Sequence, residues 1–116
     1  MQYTIPSNPS NNAEETVFRA LKSLLGGRYP VFLCVGTDAV AGDSLGPLTG
    51  TLLESNLRGK TYVFGTLDRL VTALDVDSAA DFIKKVYKGG MIVAIDAALG
   101  TSEEVGNIKI IDKPLK

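Results

Sequence analysis

Two aspartates follow apolar runs of strand type, and carboxylates at such positions can do acid–base chemistry. Asp43 lies in the glycine-rich loop after an apolar run that ends at Gly36, and Asp96 comes directly after the run Met91–Ile95. In an open α/β sheet, ligands bind at the carboxyl ends of the strands. If the two strands are neighbours, we expect Asp43 and Asp96 to converge at that edge of the sheet.

The residue types of this pair leave three interpretations open. Two close carboxylates can share one proton, because like charges a few ångströms apart do not both ionise cheaply. One of them then accepts a proton from water while the other donates to a leaving group or polarises a carbonyl. The same oxygens are hard ligands for a divalent cation. In the third interpretation, Asp43 bonds the amides of its own loop and Asp96 caps the segment that follows it.

Three further polar side chains stand beside Asp43 in the sequence. Asp38 is typical of a turn residue whose side chain bonds its own backbone. Thr37 and Ser44 carry hydroxyls that could orient the carboxylates or donate to a ligand. A nucleophilic role for Ser44 is disfavoured, since it needs a base and the chain contains no histidine. We therefore expect these side chains to orient the Asp pair.

The glycines of this loop do not predict a phosphate site. Gly36, Gly42 and Gly46 fit neither of the common phosphate-loop spacings, and the loop has no lysine. Two carboxylates there would also repel phosphate. Gly36 and Gly42, together with Thr37, Asp38 and Ser44, are instead expected to bind the substrate or orient the carboxylates.

Composition excludes several classes of function. The net charge is −1 with no basic cluster, which disfavours nucleic-acid binding. No apolar run approaches the roughly 20 residues that span a bilayer, and no signal-peptide pattern is present. The single cysteine, Cys34, permits no internal disulfide and fits a reducing, cytoplasmic location. Without histidine, Ser-His-Asp and Cys-His catalysis and two-histidine metal sites are excluded within this chain.

Strand and helix patterns alternate along the chain. Residues 1–11 predict a flexible polar tail, and residues 12–116 predict a single α/β domain, a common size for one domain. Leu48, Leu52 and Leu53 predict the buried stripe of the helix after the glycine loop. The alternation favours a three-layer αβα sandwich around a mostly parallel sheet. The predicted strands are Val31–Val35, Thr61–Gly65, Met91–Ile95 and Asn107–Ile111.

Four motifs together resemble the YyaC-type sporulation proteins, a spore protease family of spore-forming Firmicutes. The resemblance runs from about Val17 to the carboxyl terminus, and it is the combination of motifs that is specific. The motifs are Val35-Gly36-Thr37-Asp38, Gly42-Asp43-Ser44-Leu45-Gly46-Pro47-Leu48, Val63-Phe64-Gly65-Thr66-Leu67-Asp68 and Val93-Ala94-Ile95-Asp96-Ala97-Ala98-Leu99-Gly100.

This resemblance implies a distant relation to the spore germination protease and to the hydrogenase-maturation endopeptidases. Both have an αβα sandwich of the phosphorylase/hydrolase-like type. The germination protease has its proposed catalytic acids at positions that match Asp43 and Asp96. Carboxylates at the same two places bind nickel in the maturation enzymes, where a later histidine completes the site, and this chain lacks that histidine.

The family usually continues beyond Lys116 with a glycine-rich loop, a strand and a helix, so this chain is expected to be shorter at its carboxyl end. A sheet edge left open in that way could be covered by a second copy in a homodimer.

We therefore expect a sporulation-associated endopeptidase that acts on a protein or peptide substrate, with Asp43 and Asp96 activating water. Its expected location is the cytoplasm of a forespore or mother cell, with no nucleic-acid or membrane partner and no required cofactor. One alternative is a catalytically inactive protein-binding member of the same fold. The other is an acidic site at Asp43 and Asp96 for a divalent metal, of phospho-acceptor type.

Overall fold

The computed structural model describes residues 2–6, 12–40, 42–99 and 101–112, with the side chains of residues 2 and 3 left undescribed. The chain divides into two compact units, one of Met1–Gly27 with Leu99–Lys116 and one of Arg28–Ala98. The single domain expected over residues 12–116 stays a prediction. In chain order the elements are β1 (Gln2–Pro6), α1 (Ala13–Leu25), β2 (Tyr29–Cys34), α2 (Leu45–Leu57), β3 (Tyr62–Phe64), α3 (Val76–Val86), β4 (Gly90–Ile95) and β5 (Asn107–Ile111).

The unit Arg28–Ala98 contains a parallel sheet with the strand order β3-β2-β4. Val31 of β2 lies opposite Tyr62 of β3 on one side and Ile92 of β4 on the other. Because β2 is paired along both edges, its residues Val31, Leu33 and Cys34 are fully buried. The mixed α/β class with a parallel sheet is thus confirmed.

Helix α3 covers one face of this sheet. Ile83 of α3 is buried in a core cluster with Val31, Leu33 and Val35, which alternate along β2 and therefore point to the same side. Phe82 and Val86 of the same helix are exposed by about half. The turn before α3 is fixed by Asp75, whose carboxylate accepts hydrogen bonds from the backbone N–H and the hydroxyl of Thr72.

Helix α2 approaches the sheet on the side to which Cys34 points. A Cβ atom added to Gly50 would lie 3.3 Å from Cβ of Cys34 and 1.9 Å from the carbonyl oxygen of Gly65. The buried residues of α2 are Gly46, Pro47 and Gly50, whereas Leu48 and Leu52 are 45% and 60% exposed. The predicted leucine stripe was therefore wrong, because the helix lies too close to the strand for large side chains to fit between them.

The other unit contains a two-stranded antiparallel sheet of β1 and β5, in which Ile5 lies opposite Ile108. Ile5 of β1 and Ala20 of α1 are buried in this unit. The bounds predicted for β5 are confirmed. The tail predicted over residues 1–11 was wrong for Gln2–Pro6, which form β1, and residues 7–11 lie outside the described residues.

No helix in the described part of the chain is long and apolar enough to cross a membrane.

Candidate functional site

Backbone hydrogen bonds fold the loop between β2 and α2 back onto the sheet. The Gly36 N–H donates to the carbonyl of Val71 at 2.9 Å, which ties the loop to the segment after β3. The Thr37 N–H donates to the carbonyl of Asp43 at 3.0 Å, and the Asp43 N–H donates to Val40 at 3.1 Å. Asp43 is thus held through its backbone, while its side chain remains exposed and free for other partners.

Two glycines let the start of α2 lie directly on the end of β2. A Cβ atom at Gly46 would lie 2.1 Å from the carbonyl oxygen of Val35. A Cβ atom at Gly36 would lie 2.2 Å from the carbonyl oxygen of Asp43, and Gly36 has a φ of +155°. Both distances are far below a van der Waals contact, so only glycine fits at either position. These glycines place Asp43 at the carboxyl end of β2.

Asp96 follows β4 and lies at the same carboxyl end of the sheet. The Val35 N–H, just after β2, donates to the carbonyl of Ile95 at 2.8 Å. The pairing of β4 with this part of the chain therefore continues up to the residue before Asp96. Loss of solvent around its carboxyl raises the pKa of Asp96, and a hydrogen bond from the Ala97 backbone N–H opposes this. The negative charge of Asp43 also raises the pKa of Asp96.

The charge of Asp43 is one of the causes that raise the pKa of Asp96, and its effect is smaller than that of the loss of solvent. Strands β2 and β4 are neighbours, so the two aspartates follow them at the same end of the sheet. A carboxyl near a like charge holds its proton more strongly than an isolated one. That the two carboxyls act together as an acid and a base stays a prediction.

The remaining loop residues have mainly backbone roles in the structure. The Thr37 hydroxyl oxygen accepts a hydrogen bond from the Ala39 N–H at 3.1 Å. Ser44 precedes α2 and makes no capping bond with its side chain, and Asp38 is exposed. Gly42 has a φ of +93° with open space around it. That Thr37, Asp38, Ser44, Gly36 and Gly42 orient the pair or a substrate stays a prediction.

The loop after β3 lies at the same carboxyl end of the sheet, and no pattern in the sequence predicts its conformation. Thr66 is 7% exposed and exchanges backbone hydrogen bonds with Arg69 in both directions. The Leu67 N–H donates to the Thr51 hydroxyl of α2 at 2.9 Å. Val71 forms a parallel bridge with Val35, so the pairing along this side of β2 continues beyond the end of β3. The buried threonine inside a recognised motif was the available signal.

Metal binding by the aspartates and reactivity of the Cys34 thiol are two further kinds of chemistry that the chain could offer. Within the described ranges, no group of three or more acidic, histidine or cysteine side chains is placed to hold a metal ion. Asp43 and Asp96 alone supply two carboxylates, and a metal role for them stays a prediction. Burial raises the pKa of Cys34 to about 11, so its thiol is protonated at neutral pH and is a poor nucleophile.

Comparisons with known proteins place the chain in a family. The model of the family described as "Protein of unknown function (DUF1256)" matches residues 5–116, and the chain belongs to this family. The chain is 36% identical over 102 residues to "Uncharacterized protein YyaC" of Bacillus subtilis (strain 168), a match that covers 88% of this chain and 50% of that relative. The chain thus spans about half the length of the curated relative it matches. No solved structure gives a significant match.

Proposed function

We propose that this member of the DUF1256 family is a sporulation-associated endopeptidase that uses Asp43 and Asp96 to hydrolyse a peptide bond. Asp43 takes a proton from the attacking water as general base. Asp96 donates a proton to the leaving amine as general acid. The reaction consumes one water and returns the pair to its starting state once a proton passes between the two carboxyls.

The raised pKa of Asp96, next to the charge of Asp43, is the observation that carries this proposal. General acid catalysis requires a carboxyl that still holds its proton when its neighbour has lost one. Close backbone contacts at Gly36 and Gly46 hold the loop of Asp43 against the carboxyl end of β2. The resemblance of the surrounding motifs to spore proteases supports the choice of peptide-bond hydrolysis.

The proposed activity goes with a proposed fold type and a proposed cellular location. Helix α3 lies on the face of the sheet to which Leu33 points, and α2 lies on the side to which Cys34 points. This supports a three-layer αβα sandwich of the hydrogenase-maturation-protease-like type. The family resemblance supports action on a protein substrate in the cytoplasm of a sporulating cell.

The test is cleavage of unfolded protein substrates and a peptide library by the purified chain, with products identified by mass spectrometry. Asp43→Asn and Asp96→Asn should each lower the cleavage rate by about 100-fold or more, the usual size of a general acid–base contribution. Asp81→Asn is the matched control, because Asp81 is an exposed aspartate on α3. Full activity in both site variants would contradict the proposal.

The pH profile provides a second test that is specific to the assigned roles. The rate should fall as the pH rises through the raised pKa of Asp96, because the general acid then loses its proton. If Asp96→Asn retains measurable activity, its profile should lack the fall on the alkaline side. An unchanged alkaline limb in that variant would assign the acid to another group.

A further inference from the structure

Strand β4 has one edge that no described strand covers, since the sheet order is β3-β2-β4. The carbonyl of Ile95 accepts from the Val35 N–H and therefore faces β2. Backbone groups of successive strand residues point to opposite edges. The N–H and C=O of Ile92 and Ala94 therefore point away from β2, and they form a short row of donors and acceptors along the open edge.

Most of this edge lacks the devices that usually prevent strand pairing. Natural edge strands are protected by charged side chains, proline or bulges. Gly90–Ile95 has no charged residue and no proline, and its pairing with β2 is regular over six residues. A charged side chain reaches only the beginning of the strand, where the Arg28 guanidinium donates to the carbonyl of Gly90. Such an edge can take up an extended chain, which pairs through its backbone and places alternate side chains on each face.

The open edge leads directly to a negatively charged region. β4 ends immediately before Asp96, and Asp43 lies within electrostatic reach of that carboxyl. Asp38 is exposed in the same loop as Asp43. In the described part of the chain the ion pairs are Arg19–Glu15 and Lys109–Glu104, so none of these three aspartates is neutralised by a basic side chain.

We propose that the occupant of this edge is the substrate itself, an extended peptide segment with apolar β-branched residues flanked by lysine or arginine. The apolar residues pair with Ile92 and Ala94 through the backbone, and the basic residue lies against the aspartates at the end of β4. The inference rests on the proposed function and names its substrate class. Backbone pairing explains how a peptide bond can be presented beside Asp96 without a deep pocket.

The probe is a dye-labelled peptide, Lys-Val-Thr-Val-Thr-Val-Lys, whose binding to the full chain is followed by fluorescence anisotropy. Two N-methylated versions are compared, one methylated on the valines and one on the threonines. We expect one version to bind at least 10-fold more weakly and the other to bind within 2-fold, because only every second N–H of a paired strand faces β4. Equal binding of both versions would overturn the proposal.

A peptide with glutamate in place of both lysines tests the charge requirement. It should bind at least 5-fold more weakly at low salt, and the difference should shrink as salt is added, because salt screens the exposed aspartates. Equal affinity of the two peptides at low salt would remove the basic residue from the proposed substrate class.

Two variants of the protein test the same edge by changing the strand instead of the peptide. Ala94→Pro removes an outward N–H at an edge position, where proline is tolerated in a strand, and should weaken the lysine peptide at least 10-fold. Ala94→Thr keeps the N–H and should bind within 2-fold. Unchanged binding by a folded Ala94→Pro chain would overturn the proposal. If that variant does not fold, the N-methylated peptides decide the question on the unaltered chain.

Two other outcomes separate this inference from its alternatives. Sedimentation velocity would show a second copy on the edge as a dimer that the peptide does not displace, which would overturn the proposal. Edge-dependent binding without cleavage would leave the peptide site standing and remove the proposed hydrolysis. Cleavage of a peptide that is unaffected by Ala94→Pro would leave hydrolysis standing and remove the edge inference.

Discussion

The two ends of the parallel sheet are held together by different kinds of contact. At the carboxyl end, backbone lies directly on backbone, as at Gly50 against Gly65 and at Gly46 against Val35. At the amino end, aromatic rings pack on one another. The ring centroids of Tyr62 and Tyr87 are 4.5 Å apart, and those of Tyr29 and Tyr62 are 5.7 Å apart.

The two kinds of contact have different roles. The backbone contacts position chemical groups, and the ring packing stabilises the fold. Backbone contacts at Gly36 and Gly46 hold the loop of Asp43 against the end of β2, yet they leave its side chain exposed. Ring packing buries apolar area and tolerates small shifts of each ring. We therefore expect the carboxyl end to be intolerant of added atoms and the amino end to be sensitive mainly to lost atoms.

The largest effect should come from adding one methyl group at the carboxyl end. Gly50→Ala places a Cβ atom 1.9 Å from the Gly65 carbonyl oxygen, so α2 must move away from the sheet. We expect a loss of about 3 kcal/mol in the free energy of unfolding, at the upper end of the usual overpacking cost. Urea denaturation measures it. Gly89→Ala is the control, since its Cβ would lie 3.5 Å from the Tyr29 ring, and it should be nearly neutral.

A smaller effect is expected from removing a ring at the amino end. Tyr87→Ala deletes a half-buried side chain that contacts the rings of Tyr62 and Phe64. Its cost should be about 2 kcal/mol by the same urea measurement, less than for a fully buried aromatic residue. Tyr87→Phe keeps the ring and should cost less than about 0.5 kcal/mol. A loss for Tyr87→Ala that exceeds the loss for Gly50→Ala would reverse the contrast between the two ends.

The smallest effect should come from removing a charge at the carboxyl end. The pKa of Asp96 is higher in the folded chain than its ordinary value, so the ionised form of Asp96 destabilises the fold. The stability gained from the protonated form is complete below pH 3.8 and is lost as the pH rises through the raised pKa. Asp96→Asn should therefore be more stable than the unaltered chain at neutral pH and equal to it in acid.

The size of this last effect is about 0.3 kcal/mol, because the carboxyl is exposed and solvent screens it. Thermal unfolding at pH 3 and pH 7 measures it, with Asp81→Asn as the control for the substitution of an exposed aspartate. A neutral-pH loss of stability in Asp96→Asn would mean that the Ala97 hydrogen bond outweighs the unfavourable environment of the charge.

Local signals in the sequence predicted the parts of the fold that depend on nearby residues. Gly26 ends α1 in the left-handed conformation that glycine commonly adopts just after a helix, a signal that local sequence carries. The alternation of polar and apolar residues predicted β5 with its observed bounds. The positions of Asp43 and Asp96 after their strands also followed from the sequence, since Asp96 comes directly after an apolar run and Asp43 lies in the glycine-rich loop after another.

The errors arose where a distant part of the chain decides the structure. Gln2–Pro6 form a strand because they pair with β5 at the far end of the chain, which no local pattern indicates. The buried face of α2 was misassigned because hydrophobic periodicity assumes that large residues face inward. Here Gly46 and Gly50 face inward instead. The electrostatic link between Asp43 and Asp96 depends on how strands β2 and β4 pair, which the sequence suggests but does not define.

The central position of β2 has a consequence for how the chain is made. β2 is the first of the three parallel strands to leave the ribosome, and its partner β4 ends only at Ile95. Until β4 has been synthesised, the segment Val31–Val35 has no partner strand along one edge, and its backbone and apolar side chains are open to association with other chains. Sheets that wait for distant partners form slowly and are exposed to aggregation during synthesis. Slower translation after residue 35 should therefore lower the soluble yield, and chaperones that hold extended apolar segments should restore it.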